Sequence, residues 1–468
     1  MNKSTYNKQF IIGITLVSAM GGLLFGYDWV VIGGAKPFYE RFFSIGSLPH
    51  LQGWAMSSAL TGCLFGALIS GYFTDRFGRK LPLIGAAALF TISAIGTGAV
   101  NQFTPFIIYR LIGGLGIGLA SAISPMYIAE ISPAPLRGRL VSVNQLTIVI
   151  GILAAQIINY LIAETIPAGA TDQMIVQSWN GQTGWRWMFW AETIPAFTFF
   201  VLAFFIPESP RYLVKSGNQP KARLILKRIG GESYAEAEEE NIAATLNAGG
   251  AKVNWKELYT TKIRPIMLIG IVLAVFQQWC GINVIFNYAE EIFTAAGYSV
   301  GDMLFNIVIT GTVNLVFTLL AMRMVDSWGR RKLMLLGSIG LAAIYFVLGT
   351  SYWFQFKGLA ILVLVLLAIA TYAMTLAPVT WVVLSEIFPN RIRGAAMSVA
   401  TTALWSACFV LTYTFPILNN LLNAGGTFWL YAFICLSGFL FILKKLPETK
   451  GKSLEEIEKL LHRNAFNK

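Results

Sequence analysis

The chain has 468 residues, of which 56% are hydrophobic and only 12% are charged, about half the charged fraction of a typical soluble domain. Its apolar residues cluster in stretches of about 20 with few charges, the length that crosses a bilayer. The net charge of +12 lies in short loops and not in a basic stripe. These features exclude soluble, disordered, fibrous and nucleic-acid-binding proteins. The sequence predicts an all-α membrane protein in a lipid bilayer.

Twelve apolar segments are predicted to span the membrane. The first contains Asp28, is too long for a signal peptide and lacks a convincing cleavage site, so we expect it to be retained. Several segments exceed 20 residues, which predicts tilt or internal breaks. The segments lie at 10–34, 52–72, 82–100, 104–127, 139–163, 186–206, 263–295, 302–324, 333–351, 358–386, 395–421 and 426–444.

The basic residues are distributed unevenly between the two sides. One set of loops, with the central segment and both ends, holds 30 of the 35 Lys and Arg residues. The opposite loops are predicted to hold Lys36, Arg41 and Lys357. Basic loops stay in the cytoplasm, so both termini are predicted to be cytoplasmic. Short loops favour a bacterial inner membrane.

A polar segment separates the predicted spans into two groups of six. At 208–262, Leu, Ile and Ala recur among charged residues, which predicts short amphipathic cytoplasmic helices; a merely solvated linker is an equal alternative. The predicted organisation is an N-terminal half at 1–207, the linker at 208–262, a C-terminal half at 263–446 and a cytoplasmic tail with a surface helix at 447–468.

Three signatures occur once in each half, in the same order and on the same predicted side, at offsets of 251, 256 and 240 residues. This indicates a duplicated six-span unit. Parallel repeats of this kind place a substrate site at the midplane between two halves that rock around it. The signatures are DRFGRK at 75–80 with DSWGRR at 326–331, Glu130 and Arg137 with Glu386 and Arg393, and PES at 207–209 with PET at 447–449.

The repeated charges lie at predicted cytoplasmic ends of spans. The basic ones could simply fix topology, but acidic residues contribute little to it. We therefore expect opposite charges to pair across helices and to latch one conformation as a cytoplasmic gate. The charges are Asp75, Arg76, Arg79, Glu130 and Arg137, with Asp326, Arg330, Arg331, Glu386 and Arg393 as their counterparts.

At these motifs, together with QQWCGIN at 277–283 and PESPR at 207–211, the chain resembles the sugar porter family of the major facilitator superfamily over essentially its whole length. It is similar both to the family's proton-coupled xylose symporters and to its facilitative glucose carriers. The resemblance implies twelve helices in two pseudo-symmetric halves and transport of a monosaccharide, with no enzyme activity and no cofactor. We expect the protein to function as a monomer.

Polar and aromatic side chains inside the spans are the candidate sugar ligands. An amide offers both a donor and an acceptor, as a sugar hydroxyl requires, and an aromatic ring offers a flat face to the sugar; hydrogen bonding between helices is the alternative. The resemblance implies that all of them except Phe25, which is added for its ring, line the sugar site. They are Gln145, Gln277, Gln278, Asn283, Asn314, Trp381, Trp405 and Phe25.

Within the site, Gln277 and Asn283 would not share a face of a straight helix, and Gly281 is the expected break. Several neighbouring positions depart from the xylose symporters. Ile152 and Phe286 match the glucose carriers, and Leu404 replaces an amide found in both groups. Asn287 and Ala377 are further departures, in place of a Tyr and a Gly. These departures favour a hexose such as glucose or galactose over the pentose xylose without deciding between them.

Asp28 and Arg110 are ionisable residues at membrane depth, where such residues carry functional roles. Burial raises and a nearby arginine lowers the proton affinity of an aspartate, so a changing distance between them would load and unload a proton; a permanent ion pair is the alternative. By resemblance, proton-coupled members carry Asp at this position and uncoupled ones Asn, and Glu192 matches a second carboxylate. Asp28 is the expected proton carrier, Arg110 its modulator and Glu192 an assistant.

Two further patterns predict packing and not chemistry. GGLGIG at 113–118 lies in an apolar span without a preceding strand or a P-loop lysine, so close helix packing is expected and a nucleotide site is not. The cysteines, Cys63, Cys280, Cys408 and Cys435, are expected to be buried and unpaired. With two histidines and no ligand spacing, no metal site is expected.

The predicted function is proton-coupled monosaccharide uptake by alternating access. A proton-independent sugar uniporter is the main alternative. A sugar sensor would need a long signalling tail, and a membrane enzyme would need catalytic residues at one membrane face. Drug export would not explain QQWCGIN with Trp381.

Overall fold

The computed structural model describes residues 6–167, 170–248, 258, 260, 263–388 and 392–450. Helices dominate these ranges, and no strand occurs in them. The predicted surface helix of the tail falls at 451–468, outside the described residues.

The helices are numbered in chain order, and a short π-helix at Asn180–Gly184 lies between α6 and α7. They are α1 (Lys8–Phe42), α2 (Pro49–Phe77), α3 (Lys80–Ala99), α4 (Phe103–Ile131), α5 (Ala134–Ile162), α6 (Asp172–Gln177), α7 (Trp185–Ala203), α8 (Pro210–Lys215), α9 (Gln219–Gly230), α10 (Glu232–Ala248), α11 (Arg264–Trp279), α12 (Ile282–Asn287), α13 (Ala289–Ala295), α14 (Val300–Trp328), α15 (Arg330–Trp353), α16 (Leu359–Met374), α17 (Leu376–Ile387) and α18 (Arg393–Lys445).

The helices accommodate the twelve predicted spans. Ten segments of the described chain are long and apolar enough to cross a membrane. One of them, Ala395–Lys445, contains two predicted spans, because non-helical backbone at Asn423 kinks α18. The twelfth span is α7, which has 19 residues and an internal Pro195.

Helix α1 runs to Phe42, well beyond the predicted end of the span at 34. Lys36 and Arg41 therefore lie within this helix, and their assignment to a loop was wrong. Both side chains form ion pairs. Because paired charges can remain in a helix that a charge count alone would terminate, the hydropathy pattern ended the span too early.

The glycines of α4 permit close helix packing, as predicted for GGLGIG. A Cβ atom at Gly118 would lie 2.2 Å from the carbonyl oxygen of Cys63 on α2. A Cβ atom at Gly113 would lie 2.4 Å from the hydroxyl of Ser93 on α3. Both distances are far below van der Waals contact, so these positions accept only glycine without displacement of a neighbour.

The linker forms short helices with their own small core, as predicted. Apolar side chains of α8, α9 and α10 pack together, including Leu213, Leu226 and Ile242. On the exposed side, Lys227 donates a hydrogen bond that lowers the pKa of Glu232. The last part of the predicted linker is mostly outside the described residues.

The chain divides into two compact units whose boundaries cross individual helices. The first consists of Met1–Trp29, Thr61–Ala155 and Arg186–Lys252. The second consists of Val30–Leu60, Gln156–Trp185 and Val253–Lys468. The first unit therefore contains Asp28, while most of the predicted sugar ligands belong to the second.

Candidate functional site

A buried ion pair forms the polar centre of the first unit. Arg110 donates from Nη1 to Oδ1 of Asp28, and its Nη2 lies 3.4 Å from the Asp28 carbonyl oxygen. Asp28 is 2% exposed and Arg110 1%. At such burial each charge depends on the other, because an isolated ion would be strongly destabilising.

Glu192 on α7 extends this pair. Its side chain is buried and interacts electrostatically with both Asp28 and Arg110. The guanidinium of Arg110 also lies 5.7 Å from the ring centroid of Phe189, one helical turn earlier on α7. Three ionisable groups from α1, α4 and α7 thus meet in one buried place, with two carboxyls for one guanidinium.

Gly113 lies next to the charge pair, one turn after Arg110. An added Cβ atom there would lie 3.5 Å from Asp28 Oδ2, an ordinary van der Waals distance, but only 2.4 Å from the hydroxyl of Ser93. Glycine at this position therefore serves the packing of α4 against α3 and not the carboxylate.

In the second unit, three candidate sugar ligands form a chain of hydrogen bonds. Asn283 donates from Nδ2 to Oε1 of Gln278, and Gln278 donates from Nε2 to Oε1 of Gln277 over 2.5 Å. Gln277 in turn donates from Nε2 to the hydroxyl of Tyr372 over 2.6 Å. All three amides are buried.

Gly281 provides the break that was predicted between Gln277 and Asn283. Helix α11 ends at Trp279, Gly281 has φ of +88°, and α12 begins at Ile282. This left-handed conformation strongly favours glycine. The break lets Asn283 turn back toward Gln278, which a continuous helix would not allow.

The remaining candidate sugar ligands are distributed over both units. In the second unit, Asn314 on α14 and Trp405 on α18 are buried, and Trp381 on α17 is 37% exposed. In the first unit, Gln145 on α5 is exposed. Phe25 on α1 contacts Trp29, with 5.8 Å between ring centroids. These two residues remain predicted sugar ligands.

Tyr372 is a member of the amide chain that the sequence analysis missed. It lies on α16, and its hydroxyl accepts from Gln277. A tyrosine in an apolar span carries no local signal of such a partner, because Gln277 is 95 residues away in sequence. Only the tertiary structure, which brings Tyr372 within hydrogen-bonding distance of Gln277, reveals it.

The repeated charges form a compact cluster in the first unit. Arg79 donates from Nη2 to Glu130 Oε1 over 2.8 Å, and Ser209 donates its hydroxyl to Glu130 Oε2 over 2.5 Å. Glu208 accepts from the backbone amides of Arg79 and Lys80. It thereby satisfies the otherwise unpaired amides at the start of α3.

The second unit repeats two of these contacts, the arginine–glutamate pair and the capping of a helix start by a glutamate. Arg330 lies 3.2 Å from Glu386, and Glu448 accepts from the backbone amides of Arg330 and Arg331 at the start of α15. Gly329 has φ of +91° and immediately precedes this helix, as Gly78 precedes Arg79 with φ of +82°. The sequence repeat is therefore also a repeat of contacts.

The other predicted gate charges occupy different positions. Asp75 pairs with Lys215 of the linker over 2.7 Å, and Arg76 contacts the hydroxyl of Tyr72 over 2.6 Å. Arg137 is exposed and lies near Tyr234 of the linker. The side chains of Asp326 and Arg393 are outside the described part of the structure.

Comparison with known proteins identifies the class as membrane transporters for sugars. Residues 14–461 match the family described as sugar (and other) transporter. The chain is 40% identical to the D-xylose-proton symporter of Escherichia coli strain K12, over 97% of this chain and 96% of that protein. It is also 40% identical to the glucose transport protein of Synechocystis sp., over 97% and 98%.

A solved structure supports the same assignment. The xylose transporter from E. coli, in a partially occluded inward-open conformation, superposes with a TM-score of 0.84 at 38% identity, covering 95% of this chain and 100% of that one. The chain belongs to the sugar transporter family of the major facilitator superfamily. It is a multi-pass membrane transporter and not an enzyme, and the predicted family and fold class are confirmed.

Proposed function

We propose that this protein carries a monosaccharide and a proton together into a bacterial cell, by opening alternately to the two sides of the inner membrane. The observation that carries the proposal is the buried group of Asp28, Arg110 and Glu192. A neutral sugar needs no such charges for its recognition, whereas coupling to a proton requires a titratable group within the membrane.

The amide chain supports sugar binding in the second unit. Each carboxamide has two N–H groups and one carbonyl oxygen with two lone pairs. The bonds that connect Gln277, Gln278 and Asn283 use only part of this capacity. The remaining donors and acceptors are held in fixed orientations, which suits the hydroxyls of a sugar. We propose Asn314, Trp381 and Trp405 as further ligands here. Gln145 and Phe25 of the first unit are proposed as sugar ligands on the sequence argument alone.

Proton coupling follows from the balance of charge around Asp28. While Arg110 contacts Asp28, the ionised carboxylate is stabilised. If a conformational change moves the guanidinium away, the buried carboxylate loses its counterion and takes up a proton. Restored contact then expels the proton. Glu192, close to both partners, adds a second carboxyl group that can compete with Asp28 for the guanidinium of Arg110.

A proton-independent uniporter is the second candidate. The contact of Arg110 with Asp28 agrees with a uniporter as well, because a permanent structural ion pair would give the same hydrogen bond. The relatives do not separate hexose from pentose either, since one is named for xylose and another for glucose. The departures at Ile152 and Phe286 favour a hexose such as glucose or galactose.

Several further assignments belong to this proposal. Both termini are taken as cytoplasmic because of the basic loops, and the protein is taken to act as a monomer with two six-helix halves at 1–207 and 263–446. The paired clusters at Glu130 and Glu386 are taken as the cytoplasmic gate, each stabilising one conformation of its own unit.

The proposal is tested by proton movement in purified protein reconstituted into unbuffered liposomes without an imposed gradient. Addition of glucose, galactose or xylose outside should raise the external pH, because each sugar that enters takes a proton with it. A protonophore should abolish the change. Sugar entry without any pH change would instead support the uniporter.

A further inference from the structure

A lysine surrounded by three carboxylates lies in the second unit, and none of these four residues belongs to the proposed sugar or proton-coupling groups. Lys36 of α1 is 2% exposed. Its Nζ lies 3.1 Å from Glu40 Oε2, 3.1 Å from Glu290 Oε2 and 2.6 Å from Glu291 Oε1. We call these four residues the Lys36 cluster. It joins α1 to α13, on the side that the charge distribution predicts to be outside.

Two neighbouring polar side chains contact the carboxylates of the Lys36 cluster. Gln52 of α2 donates to Glu40 Oε2 over 3.0 Å. Arg41 lies 2.7 Å from Asp172 of α6 and 3.6 Å from Glu290. The ion pair of Arg41 with Asp172 has no net charge, so it does not compensate the negative charge of the Lys36 cluster.

Among the described residues, the other polar groups that line the adjoining cavity carry no compensating positive charge. The tyrosines nearest to the Lys36 cluster, Tyr39 and Tyr288, already donate their hydroxyls to Met56 Sδ and to the carbonyl oxygen of Thr412. The described residues that α18 presents to the adjoining cavity, which has a volume of about 890 Å³, are Pro416 and three neutral amides. Those amides belong to Asn419, Asn420 and Asn423.

With every group ionised, the Lys36 cluster would have a charge of −2. Its carboxylates are only 6%, 14% and 24% exposed, and buried like charges at one cation cannot all remain ionised. Glu40, which lines the cavity, has one oxygen, Oε1, that is buried without a hydrogen-bond partner among the described residues. Glu291 Oε2 is likewise buried without a hydrogen-bond partner among the described residues. These two oxygens are available to hold a proton.

We propose that the Lys36 cluster is a second proton-binding site, distinct from Asp28, which holds a proton while the ends of α1 and α13 are together and releases it when they separate. Separation exposes the carboxylates to water, so their proton affinity falls. The closed arrangement is therefore favoured at low external pH, and opening is favoured as pH rises. The inference rests on the proposed alternating access, but on neither the sugar nor Asp28.

The test measures opening directly, without transport. Spin labels are attached to cysteines introduced at two exposed positions, Leu48 shortly after the end of α1 and Ala295 at the end of α13. Distance distributions are recorded in lipid nanodiscs between about pH 5 and about pH 9. All proteins also carry Asp28→Asn, so that titration of Asp28 cannot contribute.

The proposal predicts that the fraction with separated labels rises with pH, with a ratio of open to closed that changes by up to about 10-fold per pH unit for one linked proton. Glu291→Gln, which removes one proton-binding carboxylate, should flatten this dependence, and Glu40→Gln serves as a second variant if the first does not fold. The control Glu164→Gln, at an exposed position outside the cluster, should retain it. A flat profile in the starting protein, opening at acid pH, or a slope that survives both variants would overturn the proposal.

Discussion

Gln278 occupies the middle of the amide chain, accepting from Asn283 and donating to Gln277. Gln278→Ala removes its proposed sugar contacts and also the hydrogen bonds that join it to the buried amides of Gln277 and Asn283. An unsatisfied buried polar group costs about 1–3 kcal/mol, so we expect sugar affinity to fall roughly 5- to 150-fold. Isothermal titration or tryptophan quenching on the purified variant measures this change.

Gln219→Ala is the matched control, because Gln219 is exposed on the linker helix α9. It should bind sugar like the unaltered protein. If Gln278→Ala folds and binds with undiminished affinity, the amide chain is structural and the sugar site must lie elsewhere.

Asp28 is the residue on which proton coupling depends. In Asp28→Asn the side chain keeps its size but no longer titrates, so sugar exchange between the two sides should persist. Accumulation driven by a pH gradient should fall to the level of simple equilibration. Liposome assays of counterflow and of gradient-driven uptake separate the two activities, with exposed Asp302→Asn as the control. Accumulation retained in Asp28→Asn would assign coupling to another group.

At this scale the sequence predicted residue types better than contacts. Asp28 and Arg110 were predicted to have functional roles because charges are rare in apolar spans, and the structure brings the two side chains into contact. Lys36 was misplaced because its three carboxylates, two of them more than 250 residues away, are invisible to a charge count. Tyr372 was missed for the same reason, since its partner comes from another helix.

Close packing between α2 and α4 gives a prediction at the scale of elements. The Cβ atom added by Gly118→Ala would meet the carbonyl oxygen of Cys63 at 2.2 Å. Helix displacement of this kind typically costs about 1–3 kcal/mol, so the thermal midpoint in detergent should fall. Gly85→Ala on α3, where an added Cβ has no neighbour within 4 Å, should be neutral or stabilising by about 0.5–1 kcal/mol. Equal midpoints for the two variants would contradict the packing argument.

The two carboxylates that cap helix starts, one in each half of the repeat, give a second prediction about the stability of elements. Glu208 accepts from the first amides of α3 and Glu448 from those of α15. Glu208→Ala and Glu448→Ala should each lower the free energy of unfolding by about 1–2 kcal/mol, the usual effect of losing a cap. Thermal unfolding of both variants checks this, beside Glu240→Ala at an exposed linker position. If only one of the two variants lost stability, the capping contacts of the two halves would not be equivalent in energy.

Element boundaries were predictable where a local rule governs them. The left-handed backbone at Gly281, with φ of +88°, interrupts the helix after α11. This conformation strongly favours glycine, and the sequence indicated that break. The kink at Asn423 within α18 falls between two predicted spans, so the pattern found the boundary although helical hydrogen bonding continues across it. The extension of α1 to Phe42 was not predictable, because tertiary ion pairs stabilise it.

For the whole molecule, the duplicated signatures carried the fold prediction. Their order required two equivalent six-span units, and the matching contacts of Arg79 with Glu130 and of Arg330 with Glu386 agree with that duplication. The choice of sugar was not predictable. Glucose and galactose differ only in the orientation of one hydroxyl, and xylose lacks the hydroxymethyl group of glucose. Discrimination among them depends on sub-ångström positions of ligands from several helices.

The central claim, proton-coupled sugar uptake, is tested most directly with purified protein in liposomes under an imposed inside-alkaline pH gradient. Uptake of labelled glucose, galactose and xylose is followed with and without a protonophore. We predict that at least one sugar accumulates above its external concentration and that the protonophore collapses this accumulation. Uptake that only equilibrates and ignores the gradient would contradict the account, and would leave Asp28 and Arg110 as a structural ion pair in a sugar uniporter.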